Sequence, residues 1–194
     1  MDKKYKLNGK DLLTIGIYTA IIFVVTLAVA MLMFFPFLIP IMFVLSPVLV
    51  GIPFMLYLTK VKKPGMVFIT GTIIGLVMWL TGMGPYIFLL NFVTGVGAEL
   101  LLWSGKYQSS WKAIFAYAVY SLSGMGSYIP MFFSFDSFSA SRQDFGENYL
   151  IEIQKFAQVQ FFPIIVIVCF VSCIIGGLLG RAMLKKHFAK AGIV

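Results

Sequence analysis

Charged residues are scarce in this sequence, and acidic ones are the scarcest. Only 11% of the 194 residues are charged, with 7 Asp and Glu against 15 Lys and Arg, while 60% are hydrophobic. A soluble domain of this size has no interior large enough for so much apolar surface, whereas a bilayer accepts about 20 apolar residues in each crossing helix. The composition therefore predicts an all-α membrane protein, with one integral membrane domain over residues 1–194.

Histidine and the common catalytic motifs are also missing. His187 is the single histidine and lies in a basic stretch, so an intramembrane serine peptidase would lack the base for its nucleophile. Neither the zinc motif H-E-x-x-H nor the nucleotide motif G-x-x-x-x-G-K-[ST] occurs. We therefore expect no metal site, no cofactor and no ATP hydrolysis by this chain, and a binding or transport protein rather than an enzyme. A stand-alone membrane carrier or an intramembrane enzyme of another kind stays the alternative.

The two cysteines, Cys169 and Cys173, lie one helical turn apart in the last apolar run. No further cysteine is present to build a disulfide framework, and a redox pair is normally placed near water with a lowered thiol pKa. We interpret both as small buried hydrophobic side chains.

Charges and helix-breaking residues divide the sequence into six apolar spans, at about 12–33, 37–59, 66–80, 85–103, 111–133 and 159–184. The first exceeds the apolar part of a secretory signal, about 7–15 residues, so we expect a retained helix. Pro40, Pro47 and Pro53 predict that the second is kinked or partly unwound. Thr81–Pro85 predicts the break between the third and fourth spans, and Gly124–Ser127 predicts a helix-packing or turn element.

The positions of the basic residues predict the orientation in the membrane. With a cytoplasmic N-terminus and six crossings, thirteen of the 15 Lys and Arg residues fall on the inner side, and only Arg142 and Lys155 fall on the outer side. This asymmetry predicts a multi-pass protein of the cell membrane with both termini in the cytoplasm. The basic clusters form no stripe on a polar helix, so we expect no nucleic-acid partner despite the net charge of +8.

Glu99 is the one acidic residue within a predicted span. An ionisable group in the membrane is a functional candidate, because burying its charge costs free energy. At 1.5 Å per residue, Glu99 lies about 9 Å from the inner loop at Gly105, within reach of Lys106 or Lys112. A structural or docking role and a role in moving a substrate or a proton both stay open.

Aromatic, methionine and hydroxyl side chains concentrate in the outer half of the predicted bundle. An ordinary interfacial aromatic belt accounts for part of this pattern. Asn91 differs, since an amide within a span requires a hydrogen-bond partner. We predict a binding site between the outer ends of the fourth, fifth and sixth spans, with candidate residues Trp79, Tyr86, Asn91, Tyr120, Ser121, Met125, Tyr128 and Met131.

Two segments are predicted to cover this site: the Phe34–Pro40 turn and the polar Ser134–Gln158 segment, whose stretch Tyr149–Phe156 follows a helical period. No basic residue lies in an outer-half span. A phosphate or a strongly anionic ligand is therefore disfavoured unless Arg142 or Lys155 folds over it. The aromatic walls favour a flat and largely apolar ligand.

Small residues four positions apart mark surfaces where membrane helices approach closely. Gly16 and Ala20 form such a pair on the first span. Similar patterns occur elsewhere, at Gly71/Gly75, Gly95/Ala98 and Gly176/Gly180.

Together with the six-span layout, two stretches resemble a known family. Asp11-Leu-Leu-Thr-Ile-Gly-Ile-Tyr-Thr-Ala20 and Leu184-Lys-Lys-His-Phe-Ala-Lys-Ala-Gly192 look like the Trep_Strep (MptD-like) group of substrate-binding S components of energy-coupling factor (ECF) transporters. The resemblance implies a six-helix S-component bundle that captures a vitamin or micronutrient from outside. It also implies docking on a transmembrane coupling subunit joined to two ABC ATPases, followed by toppling in the membrane to release the substrate inward.

The resemblance also implies where the docking surface lies. Gly16 and Ala20 occupy the position of the family's Ala-x-x-x-Ala docking motif, with Gly in place of the first Ala. The substrate is less defined. Haem belongs to the flat and largely apolar class of ligand. Met or Tyr would coordinate its iron, because no His is available.

Overall fold

A computed structural model describes residues 6–188 of the chain, and its regular elements in that range are all helical. Five helical segments there are long and apolar enough to cross a membrane: Gly9–Phe34, Pro36–Lys60, Met66–Met83, Pro85–Ser104 and Val159–Lys186. The all-α fold class and the predicted multi-pass character are confirmed. The contributions of Lys3, Lys4 and Lys190 to the orientation, and the end of the Leu184–Gly192 stretch, lie outside the described residues.

Nine α-helices occur between residues 6 and 188. They are α1 (Gly9–Ala30), α2 (Ile39–Lys60), α3 (Met66–Met78), α4 (Pro85–Ser104), α5 (Ser110–Ser121), α6 (Ile129–Phe133), α7 (Phe135–Ala140), α8 (Glu147–Phe156) and α9 (Phe162–Met183). The α3–α4 turn, Trp79–Met83, is a π turn in which Gly82 has a φ of 90°, as a break rich in glycine allows. The predicted break between the third and fourth spans is confirmed.

The fifth predicted span is wrong as a single helix. α5 ends at Ser121 after 12 residues, a 3₁₀ turn covers Leu122–Ser127, and α6 has only 5 residues. The turn lies so close to α4 that a Cβ atom on Gly126 would be 2.5 Å from Ile87 Cα, so the chain needs glycine where a long helix would not. The predicted turn element is confirmed, whereas the number of crossings and the sides of the termini stay predictions.

α2 is not unwound at two of its prolines, while the kink predicted as the alternative stays a prediction. Pro47 and Pro53 lie inside a continuous helix from Ile39 to Lys60. The Tyr117 hydroxyl donates a hydrogen bond to Pro47 O, and α9 packs against the same turn. Protein therefore covers the backbone that the prolines disturb.

Glycine allows α2 and α9 to approach each other closely. A Cβ atom on Gly180 would lie 2.6 Å from Gly51 O, and one on Gly176 would overlap Pro47 O. The contact surface predicted at Gly176 and Gly180 is therefore confirmed. Close backbone approach of this kind is a main source of helix association in lipid, where the hydrophobic effect contributes little.

The lid, defined as residues 134–158, contains α7, a short 3₁₀ turn and α8. α8 confirms the short helix predicted in the second half of this segment. Its Tyr149 hydroxyl donates to Met33 O at 2.7 Å, and the Phe145 ring of the lid lies 5.7 Å from the Phe34 ring. The two segments predicted to cover the site are thus in contact.

Candidate functional site

The predicted site residues fall into an exposed and a buried group. Trp79 and Tyr86 are 46% and 47% exposed, the first in the α3–α4 turn and the second at the start of α4. The other six are buried or partly buried: Asn91, Tyr120, Ser121, Met125, Tyr128 and Met131. Their common role in binding stays a prediction.

Asn91 holds a buried polar atom without a partner. Its Nδ2 donates to Ile87 O at 2.8 Å, while its Oδ1 accepts no hydrogen bond from the described part of the chain. The surroundings are tight, since a Cβ atom on Gly75 would lie 3.0 Å from Asn91 Cβ, and one on Gly71 would lie 3.1 Å from the Tyr120 ring. An unpaired buried acceptor costs about 1–3 kcal/mol, which a ligand N–H or O–H would recover.

Aromatic rings form flat walls in the same interior. The Phe54 ring stacks on Tyr120 with 5.1 Å between ring centroids, and it lies 4.9 Å from the Tyr117 ring. Farther along α2, Phe43 meets Tyr128 edge-on at 4.8 Å. These rings pack directly on one another and make this part of the interior apolar except for its phenol groups.

Glu99 caps the start of α3. The residue before that helix, Gly65, has no side chain to cap it, and Glu99 Oε1 instead accepts the N–H groups of Val67 at 2.6 Å and Phe68 at 3.3 Å. Glu99 Oε2 accepts the Tyr107 hydroxyl at 2.8 Å. The carboxylate therefore satisfies helix N–H groups that would otherwise lack partners.

Of the two roles open for Glu99, these contacts favour the structural one. Lys112 is not its partner, because Lys112 Nζ donates to Ser104 O at 2.9 Å and to Ser104 Oγ at 3.1 Å. Burial and the nearby negative charge raise the pKa of the Tyr107 phenol, so it stays protonated and donates to the carboxylate. The sequence could not reveal this cap, because it depends on how α3 pairs with α4.

Two cavities near the same end of the bundle were also missed by sequence reasoning. The larger, about 490 Å³, lies beside Glu99 between α3 and α4, and its other walls are Pro64, Gly65, Phe68, Val96, Leu100, Trp103 and Tyr107. The smaller, about 150 Å³, includes residues of α2, α5 and the α4–α5 loop. Neither belongs to the predicted outer site.

Arg142, which was not among the predicted site residues, is partly buried within the lid. Its guanidinium lies 4.1 Å from the centre of the Phe138 ring, a buried side chain of α7. Nη1 donates to Ser141 Oγ at 3.0 Å, and Nη2 reaches Met83 Sδ at 3.8 Å in the α3–α4 turn. Burial lowers the pKa of the guanidinium, which nonetheless stays charged at pH 7.

The predicted docking residues lie on the outward face of α1. Ile15, Thr19 and Ile22 are buried, whereas Gly16 and Ala20 are exposed. A Cβ atom on Gly16 would meet nothing within 4 Å. Only 17% of the most apolar part of α1 is buried, against 28–39% for the other four membrane-spanning candidates in the described range. The small residues are therefore not used for packing within the described chain.

The chain is similar to known proteins in both fold and sequence. No curated protein matches the chain. A solved structure described as an S-component of an ECF transporter has the same fold, with a TM-score of 0.51 and 20% identity over 97% of this chain and 88% of that chain. A family of hypothetical bacterial integral membrane proteins, Trep_Strep, matches residues 9–190. The resemblance found in the sequence is confirmed, and the chain belongs to the Trep_Strep family.

Proposed function

We propose that this chain is the substrate-capturing S component of an ECF-type ABC importer for a vitamin or micronutrient. It lies in the cell membrane with both termini in the cytoplasm, and it works with a transmembrane coupling subunit and two ABC ATPases. The shared S-component fold supports the proposal. The lack of a nucleotide-binding motif agrees with it, since the energy then comes from partner subunits.

The observation that carries the proposal is the outward face of α1. Helices in lipid associate through packing and close backbone approach, for which exposed small residues four positions apart are suited. Gly16 and Ala20 form such a surface, and no other part of the described chain covers it. A coupling subunit can therefore dock there without any rearrangement of the bundle.

The substrate site in this proposal is the outer half of the bundle beneath the lid. Asn91 is its central polar anchor, because its Oδ1 is buried without a donor. Tyr120 and Tyr128 supply aromatic walls with phenol groups, and Trp79 marks the rim. Ser121, Met125, Met131 and Tyr86 complete the set. The ligand in this proposal is flat and largely apolar, such as haem, and the lid would exclude water above it.

Co-purification tests the proposal. The tagged chain, expressed in its native host and solubilised in a mild detergent, is expected to carry a second membrane subunit and two ABC-type ATPases. Recovery of the chain alone under conditions that preserve other ABC importers of the host would contradict the proposal and favour a stand-alone carrier.

A further inference from the structure

Arg142 has weak partners for a partly buried cation. A guanidinium carries five N–H donors in a planar fork that matches a carboxylate. Here it donates to one hydroxyl, that of Ser141, and to the sulfur of Met83, which is a weak acceptor, and it lies over the Phe138 ring. The ion pairs found between residues 6 and 188 are Lys63–Asp11 and Lys155–Glu152, so no described carboxylate pairs with Arg142.

The lid contains acidic residues that are not used for Arg142. Asp136, Asp144 and Glu147 are exposed, and Glu152 pairs with Lys155. An arginine that served only the surface of the lid would gain by pairing with one of these neighbours. A partly buried charge without a counter-ion costs free energy that the Phe138 ring offsets only in part, so an anion beside Arg142 would stabilise this position.

Arg142 lies where an anionic group of the proposed substrate could reach it. Its guanidinium extends from the lid to Met83 in the same turn as Trp79. Trp79 is itself one of the predicted site residues, so Arg142 joins the lid to the rim of the outer site.

We infer that the substrate carries a carboxylate and that Arg142 is its counter-ion beneath the lid. This inference rests on the proposed function and specifies the substrate class. Lys155, the other basic residue of the lid, already pairs with Glu152. Arg142 therefore acts as a single cation, and one guanidinium matches one carboxylate better than a phosphate. The flat apolar part of the molecule then lies against the aromatic walls. The carboxylate replaces the Met83 sulfur as an acceptor for Arg142.

The test compares acids with their neutral derivatives. Binding to the full chain in nanodiscs is measured for haemin and its dimethyl ester, lipoate and lipoamide, and biotin and biotinamide. At least one acid is expected to bind at least about 30-fold more tightly than its neutral derivative, the lower end of the range for removing one partner of a buried charge pair. If no acid is preferred over its derivative, including the case where none binds, the inference is wrong.

Variants identify the group responsible. Arg142→Gln should remove the preference for the acid, and Arg142→Lys should restore part of it, because lysine keeps the charge but not the fork. Lys155→Gln is the matched control and should leave the preference unchanged. Equal acid affinity in the wild type and in a folded Arg142→Gln variant would overturn the inference.

Failure of the inference and failure of the proposed function have different signatures. Arg142→Gln should still co-purify with the ATPases, since the residues that Arg142 contacts, Ser141, Met83 and Phe138, do not belong to α1. If the ATPases never co-purify but the acid preference depends on Arg142, only the proposed function fails. If they co-purify and no acid is preferred, only the inference fails.

Discussion

The two ends of the bundle treat their polar groups differently. At the end that holds the α2–α3 and α4–α5 loops, Glu99 caps α3 and accepts from Tyr107, and Lys63 pairs with Asp11 at 2.5 Å. At the lid end, Asn91 Oδ1 has no described partner and Arg142 has no described carboxylate. Paired groups stabilise the fold, whereas unpaired ones cost stability and are retained where a ligand compensates them.

The largest expected effect concerns assembly. Ala20→Trp, and likewise Gly16→Leu, should prevent close approach of a second helix and reduce co-purified ATPase at least about tenfold. Ile21→Trp is the matched control, since Ile21 is also exposed but lies about 100° away around α1. Ligand binding by the isolated variants should survive. Loss of binding with assembly intact would reverse the roles given to α1 and the lid end.

Glu99→Ala tests whether the loop end is built for stability. It leaves the N–H groups of Val67 and Phe68 without acceptors, so the free energy of unfolding should fall by about 2–3 kcal/mol. Glu147→Ala, at an exposed lid position, should change it by less than about 0.5 kcal/mol. Thermal unfolding in detergent measures both. An unchanged Glu99→Ala melting temperature with lost transport would show that Glu99 acts on the substrate.

Tyr107→Phe removes only one hydrogen bond from the same group and should cost about 1 kcal/mol. Because the phenol pKa is raised in the folded protein, the folded state holds this proton more tightly than the unfolded state. The stabilisation is therefore complete below about pH 10, the ordinary tyrosine value, and is lost as the pH rises above it. The difference between wild type and Tyr107→Phe should shrink there. A constant difference up to pH 11 would contradict the assigned hydrogen bond.

Asn91→Leu should have the smallest effect on stability and the opposite sign. It removes a buried acceptor without a partner, so the free energy of unfolding should stay unchanged or rise by up to about 1 kcal/mol. Affinity for the ligand should fall about tenfold, as expected for one lost hydrogen bond. Thr72→Val is the control, because its partly buried hydroxyl donates to Phe68 O within its own helix. Marked destabilisation with unchanged affinity would place the site elsewhere.

Much of the fold could be predicted because it depends on local sequence. Apolar length defined the helices, the glycines of Thr81–Pro85 marked the α3–α4 break, and the small pair Gly176/Gly180 marked a helix contact. The end of α5 was signalled by Gly124 and Gly126, although composition alone favoured one long span. Polar contacts were harder to predict from the sequence. The Glu99 cap and the contact of Arg142 with Met83 depend on which elements lie side by side in the fold.

The site was predictable only in its residue types. Asn91 stood out because an amide within a span needs a partner, and the structure leaves its Oδ1 without one. The burial of Tyr120, Met125 and Met131, as against the exposure of Trp79 and Tyr86, depends on the rotation of each helix, which the aromatic pattern does not determine. The same holds for Arg142, because its position in a polar segment does not determine which side chains its guanidinium meets.

Reconstituted uptake tests the central claim most directly. The compound identified by mass spectrometry in the purified protein would be supplied to proteoliposomes containing either the chain alone or the chain with its co-purified partners, each with and without internal ATP. The account predicts uptake only with the partners and ATP, and no uptake when the chain carries Ala20→Trp. Uptake by the chain alone, without ATP, would contradict it and show a stand-alone carrier.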